Sequence, residues 1–317
     1  MIKFTVKTNF SVGDVHFYYI QSDGKNMLID TGPFSEDTKK IFLNYVDLLK
    51  LDYVFLTHIH IDHSGMIKFL SKNSDARIFM SEKDIYLIEK KDEWLNALEN
   101  LFISLGFSNN FVKSIKNVLN NLRSAIPVPD RYEILEKQDL PSNLGIDYIK
   151  TPYHSQSDVI YLIDRFAFSG DTLLRNIFQT PLIDVDYNNC LQRYNNYKAF
   201  CKSLYKLKKL NNYTVMPGHN DYIISVNDTI THYVNKMLNR LIKIKDKINK
   251  MSLEDLAEIV TKDKNDIHIK YLKASEIQFF KDFLNDPNEL EDALKYLDLF
   301  NKVTEGLYKL ALSITKN

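Results

Sequence analysis

The sequence predicts an α/β fold with a helical insert and an all-helical C-terminal extension. Three observations predict it. Up to about residue 222, short apolar runs with strand alternation are separated by segments of helical spacing. From Ser81 to Ile126 the strand signals give way to one long helical stretch. Beyond about Asn227 they do not return. The expected organisation is a core of residues 1–228 with its insert at about 81–126, then an extension of residues 229–317.

The elements follow in order. Strands are expected at IKFTV (2–6), VHFYYI (15–20) and NMLID (26–30). A helix from about Glu36 to Leu49 places Ile41, Phe42, Tyr45, Val46 and Leu49 on one face. A buried strand DYVFL (52–56) leads into THIHIDHSG (57–65), a short helix near Met66–Leu70 and the strand ARIFM (76–80). In the insert, Trp94, Leu98, Leu101, Phe102 and Leu105 repeat at helical spacing. Phe111, Ile115, Val118, Leu119 and Leu122 do so after a break at Gly106. Strands resume at IDYI (146–149), VIYLI (159–163) and FAFS (166–169). A helix from about Cys190 to Leu210 precedes the strand TVM and the turn PGHND (217–221). The segment 229–250 is amphipathic, with Met237, Leu241, Ile244 and Ile248 opposite a solvated row of Lys236, Arg240, Lys243 and Lys247. SLED (252–255) starts a further helix with a capping box, and Asp286-Pro287 breaks the last helical stretch.

The 317 residues suffice for a sizeable core. Lys+Arg and Asp+Glu balance at 41 each, which disfavours nucleic acid or an anionic membrane as partner. The two cysteines, Cys190 and Cys201, are expected on one helix about three turns apart, too far to bridge. The N-terminus MIKFTVKTNF reads as no signal peptide, and no apolar run approaches the roughly 18–20 residues of a membrane span. The expected compartment is the cytoplasm.

THIHIDHSG packs three histidines and an aspartate into six consecutive positions after a buried strand. In extended form, His58, His60 and Asp62 point one way and His63 another, so one turn can feed two adjacent ions. Further candidates stand at strand ends: His154 after DYIKTPY, Asp171 in FAFSGDT and His219 in TVMPGHN.

HIHIDH, TPYHSQSD, the SGDT of 169–172, the PGH of 217–219 and LIDTG (28–32) together resemble the metallo-β-lactamase fold hydrolases, across about residues 14–222. The resemblance implies an αββα sandwich with metals at one edge. It implies that His58, His60 and His154 bind one metal and Asp62, His63 and His219 a second. Asp171 would bridge both, and Asp30 would orient the cage. The ions would be two divalent metals, zinc by preference, with iron or manganese tolerated. The implied nucleophile is a hydroxide shared between them, with Asp62 positioning it and relaying a proton.

Asp171 stands where many true β-lactamases have cysteine, and His60 where the flavodiiron branch has glutamate, so neither chemistry is expected. The ligand set looks like the glyoxalase II, lactonase and ribonuclease Z branches. The helical extension also resembles the quinolone-signal response thioesterase type. The expected function is hydrolysis of a small ester, thioester or lactone. The alternatives are a ribonuclease Z-like phosphodiesterase and a weakly active ligand sensor. Two departures stand out: TPYHSQSD replaces the usual TPGHSPGS, and Met66 replaces a common glycine. Tyr153 is expected to pack beside the site. Trp94, Phe102, Phe107 and Phe111 are candidates for part of an apolar access channel, although plain packing onto the core is the expectation for most residues of the insert. The expected partner is a small-molecule substrate, a homodimer stays open, and the substrate-contacting residues are not readable.

Overall fold

The computed structural model describes residues 1–8, 13–139, 145–179, 181–261 and 266–313. Strands β1 (Ile2–Val6), β2 (Val15–Ser22) and β3 (Lys25–Ile29) pair antiparallel. Strands β4 (Tyr53–Phe55), β5 (Arg77–Met80) and β6 (Glu133–Ile134) extend that sheet in parallel. A second sheet contains β7 (Ile146–Lys150), β8 (Val159–Ile163) and β9 (Phe166–Gly170). A small hairpin, β10 (Val185–Asp186) and β11 (Asn189–Arg193), precedes β12 (Thr214–Pro217). The second sheet has the order β12-β9-β8-β7.

The two sheets face each other. Tyr18, Ile20, Met27, Ile29, Phe55 and Phe79 of the first meet Val159, Tyr161, Phe168 and Met216 of the second. Phe55 and Tyr161 lie 5.2 Å apart between ring centroids, and Tyr18 and Phe168 5.1 Å. The alternate residues Phe17, Tyr19, Leu28 and Val54 belong to the helix-covered face. Burial on both faces explains why β2 and β8 read as near-continuous apolar runs. Each such side chain contributes about 1.5–3 kcal/mol on burial.

Helices cover the outer faces. In the first half these are α1 (Glu36–Tyr45), α2 (Ile61–Ser64) and α3 (Ile67–Asn73). The insert folds as α4 (Glu82–Glu89), α5 (Lys91–Ser104) and α6 (Asn109–Ser124). Gly106 separates α5 from α6 at φ +83°, where a side chain would be strained, and the Ser108 hydroxyl caps α6. Then come α7 (Asn196–Leu207), α8 (Val226–Ile248), α9 (Leu253–Val260), α10 (Ile267–Asn285), α11 (Asn288–Tyr296) and α12 (Lys302–Leu312). The hydroxyl of Ser252 accepts from the Asp255 amide, as the capping motif requires, and the break at Asp286-Pro287 separates α10 from α11. α10 packs against α6, α7, α8 and α9, tying the insert to the C-terminal helices. Among the described residues no helix is long and apolar enough to cross a membrane.

Three local expectations are corrected. The helix expected to reach Leu49 ends at Tyr45, because Val46 adopts an extended backbone and is buried. Tyr45 and Leu49 are left exposed. Cys190 lies on β11, not on a helix with Cys201. The Asn195 side chain accepts from the Lys198 amide and so sets the start of α7 beyond it. Both cysteines are free. Finally, among the described residues Trp94, Phe102, Phe107 and Phe111 pack as core side chains instead of lining an access channel. All are at most 5% exposed, and Phe102 packs edge-on against Tyr271 of α10 at 5.8 Å. Apolar faces of the insert and extension are satisfied by each other.

Candidate metal centre

Strands β4, β7, β9 and β12 all end at one edge of the sandwich, and each is followed by a candidate side chain. After β4 the chain stays extended only as far as His60. There it turns: the amides of His63 and Ser64 both donate to the His60 carbonyl at 2.9 Å. Asp62 and His63 therefore sit on the single turn of α2 and not on an extended run. The alternation expected to aim Asp62 with His58 and His60 does not operate, and the turn sends Asp62 and His63 toward His219 instead.

Three overlapping groups result. The ligand atoms of His58, His60 and His154 lie within 4.8 Å of one another, as do those of His58, His63 and Asp171, and those of Asp62, His63 and His219. His154 Nε2 is 3.2 Å from His60 Nδ1. His219 Nε2 is 3.4 Å from Asp62 Oδ2 and 3.5 Å from Asp171 Oδ1. His63 Nε2 is 3.4 Å from Asp171 Oδ1. Two ligands held tetrahedrally at about 2.1 Å from one ion stand about 3.4 Å apart, so these spacings fit a metal. Buried polar atoms normally find partners, yet His58 Nε2, His63 Nε2, His219 Nε2 and Asp171 Oδ1 have none among the described residues. The donor set is imidazole nitrogen and carboxylate oxygen, which suits divalent transition metals.

Outer contacts hold these atoms in place. His63 Nδ1 bonds Asp30 Oδ2 at 2.8 Å and His219 Nδ1 bonds the Asp14 carbonyl at 2.7 Å, which leaves each Nε2 free of a proton in the neutral ring. Thr57 Oγ1 bonds His58 Nδ1 at 3.1 Å. Asp30 also accepts from the Thr57 amide at 2.8 Å and is held at φ +58°, a conformation few side chains adopt. Gly218 is required sterically, since a Cβ there would lie 2.5 Å from His63 Cε1 and 2.9 Å from Asp171 Oδ1. His16, a histidine outside the cluster, ties β2 to the loop after β12 through Nε2 and the Asn220 carbonyl at 2.8 Å.

The electrostatics differ across the cluster. Burial lowers the pKa of His58, His60 and His154, that of His60 to about 3, so these rings are neutral and able to coordinate. Burial also acts on His63, but the carboxylates of Asp62, Asp30 and Asp171 outweigh it and raise its pKa well above the usual value. The carboxylate-rich side thus demands a positive charge, either a proton or a cation. Burial pushes the Asp62 carboxyl up, while His63 and His219 more than compensate and hold it below its usual range.

The structure brings His58, His60, Asp62, His63, His154, Asp171 and His219 together, with Asp30 directly behind His63. Tyr153 packs beside the site: it is buried against Phe200 and its hydroxyl donates to the Thr172 carbonyl. Gln156 Nε2 donates to the Val185 carbonyl at 2.7 Å, so the residue that departs from the usual proline anchors β10. Gln179 was not readable from the sequence. Its Nε2 donates to Asp171 Oδ2 at 2.8 Å from a loop with no periodicity to mark it. A cavity of about 250 Å³ opens beside Ile59, lined also by Leu87, Ile88, Lys91, Arg123 and Ile126.

The sequence model of the metallo-beta-lactamase superfamily matches residues 11–219, ending at the last histidine of the cluster. The probable metallo-hydrolase YqjP of Bacillus subtilis (strain 168) is 25% identical over 250 residues, covering 76% of this chain and 77% of that protein. A metallo-beta-lactamase family protein from Thermus thermophilus superposes with a TM-score of 0.70 at 18% identity, covering 90% of this chain and 93% of that one. A beta-lactamase domain protein from Burkholderia ambifaria gives 0.70 at 19% identity, covering 89% and 86%. At such identities the superpositions speak for the fold.

Proposed function

The chain belongs to the metallo-beta-lactamase superfamily, and from that premise we propose a metal-dependent hydrolase of a small ester, thioester or lactone. The supporting observation is the position of Asp171 between two groups of candidate ligands. Its Oδ2 lies 3.7 Å from His154 Nε2 and its Oδ1 3.4 Å from His63 Nε2, so one carboxylate faces both groups. His58, His60 and His154 would hold one divalent ion, and Asp62, His63 and His219 a second, with Asp171 between them. Zinc suits this nitrogen and oxygen set, and iron or manganese fits it too. When bound, the ions lower the pKa of water from about 15.7 toward about 7 and polarise a carbonyl oxygen.

The remaining work falls to the chain's own residues. Asp62, ionised beside His63 and His219, can take a proton at Oδ2 and return it to a departing alkoxide or thiolate. Asp30 keeps the His63 ring in the tautomer that frees Nε2. Ile59 and Leu87 give the neighbouring cavity an apolar wall.

The phosphodiesterase reading would need a free basic track. Arg240 instead pairs with Glu276 at 2.5 Å, and Lys236 donates to the Asn176 carbonyl at 3.0 Å. This favours a small molecule over nucleic acid. A weakly active sensor would keep the same cage, and turnover separates it from an enzyme. The test is a panel of thioesters, esters, acyl lactones, phosphodiesters and RNA, with Asp171→Ala as control. Activity on acyl substrates that disappears in Asp171→Ala is expected. Activity confined to phosphodiesters, or none at all in metal-loaded protein, would refute the proposal.

A further inference from the structure

The cavity beside Ile59 has an unusual charge pattern. Its lining is Ile59, Leu87, Ile88, Lys91, Arg123, Ser124, Ile126 and Val128: two cations, no carboxylate, and otherwise mostly apolar walls. Ile59 lies between His58 and His60, so the cavity borders the stretch of chain that carries two of the candidate ligands. Both cations come from the helical insert, Lys91 from the start of α5 and Arg123 from the end of α6.

Arg123 is the informative residue. Its guanidinium lies over the ring of Trp94 at 5.0 Å. Among the described residues that guanidinium makes no hydrogen bond and no ion pair. Arg77, Arg193 and Arg240, by contrast, each hold a carboxylate at 2.5–2.8 Å. Contact with the Trp94 ring restrains the guanidinium while leaving its N–H groups available. The Arg123 charge is near enough to act on His60, Asp84 and Asp184. Lys91 is half-buried, and among the described residues its ammonium donates only to Ser124 Oγ, at 3.2 Å. A restrained guanidinium without a partner, beside a second cation in an apolar-walled cavity, matches a planar anion on a short apolar stem.

We propose that Arg123 and Lys91 anchor a carboxylate carried by the substrate, so that the acyl chain of an anionic ester or thioester lies in the cavity beside Ile59. The carboxylate takes the free N–H groups of Arg123, the methylenes lie along Leu87, Ile88 and Ile126, and the scissile carbonyl reaches the candidate metal centre. This assignment of substrate class rests on the hydrolase reading above. It also explains why the insert ends on a cation over the chain's single tryptophan.

Two measurements test it. Trp94 reports on Arg123 directly, so glutarate is titrated into the protein and its fluorescence followed, with and without added zinc. Saturable quenching is expected in both states, weakened about 10- to 100-fold in Arg123→Met and less in Lys91→Met. No saturable response, or one that survives Arg123→Met at the same concentration, overturns the anchor. The second measurement compares butyryl and glutaryl esters of one phenol. A kcat/KM preference for the glutaryl ester is expected, collapsing at least tenfold in Arg123→Met. An equal preference in both proteins also overturns it. Failure to hydrolyse either ester counts against the hydrolase reading, whereas the titration judges the anchor without any turnover.

Discussion

His58, His63 and His219 at the sheet edge are fully buried, and each leaves a ring nitrogen without a partner among the described residues. Phe279 on α10 is as thoroughly buried, but its ring meets Phe178, Tyr197 and Phe200 at 5.5–6.0 Å. Burial alone therefore does not distinguish a site from a core. At the edge, the unpaired nitrogens and the carboxylates of Asp62 and Asp171 lower the stability of the fold until a cation joins them. On α10, apolar area removed from water stabilises the fold with nothing further required. The first region should respond to metal and not to packing, and the second the reverse.

The largest effect should come from His58→Ala. Metal analysis should find fewer ions per chain than in wild type, and acyl hydrolysis should fall to background. Unchanged metal content and activity would erase the contrast, because the cluster would then be ordinary buried polarity. Next is Phe279→Ala, expected to cost about 3–5 kcal/mol in denaturant unfolding while metal content stays at the wild-type value. A loss of metal from that variant would show that the two regions are coupled.

Asp84 sharpens the comparison, because it is buried polarity close to the site with no role as a ligand. Neither carboxylate oxygen has a hydrogen-bond partner of good geometry among the described residues. Burial pushes its pKa up to about 7, and the weaker pull of Ser157 and the Ile59 amide offsets only part of that rise. Below about pH 4 both folded and unfolded chains carry the proton. Between about 4 and 7 only the folded chain keeps it, so stability declines as pH rises through that window and levels off above it. Asp84→Asn should remove that decline, on the order of 3 kcal/mol, read from unfolding at pH 5 and pH 8. A wild-type protein with no such slope would show that Asp84 is hydrated or paired in solution. The smallest effect is expected from Asp30→Asn, which keeps the shape but weakens the grip on His63. Metal affinity should fall about 10- to 100-fold, measured by competition with a chelator. An unaltered affinity would remove Asp30 from the cage.

The sandwich was legible because its signals are local. Short apolar runs marked β2 and β8, helical spacing marked α5, α6 and α8, and the Ser252 cap and the break at Asp286-Pro287 held. The boundaries that failed depend on competing local bonds. The Asn195 cap displaced the start of α7, and the fold-back of Val46 ended α1 before Leu49. The four insert aromatics stayed open between channel and core because their spacing is the same whether they face a channel or another helix. For Phe102 it is Tyr271 on α10, well over a hundred residues further on, that decides for the core.

By itself, the sequence determined which residue types cluster and that they sit at strand ends: His58, His60, Asp62 and His63 in one run, with His154, Asp171 and His219 each after a later strand. The family resemblance implied how those groups divide, and tertiary structure decided by what geometry they do so. The turn at His60 swings Asp62 and His63 toward His219, and Asp171 reaches both sides from the end of β9. Tertiary structure alone also placed Gln179 on Asp171 and left Arg123 over Trp94 beside the cavity. The physical reason is range. Periodicity and capping act between residues a few positions apart, whereas convergence of ligands and the absence of a partner are set by chain segments that meet only after the two sheets pack.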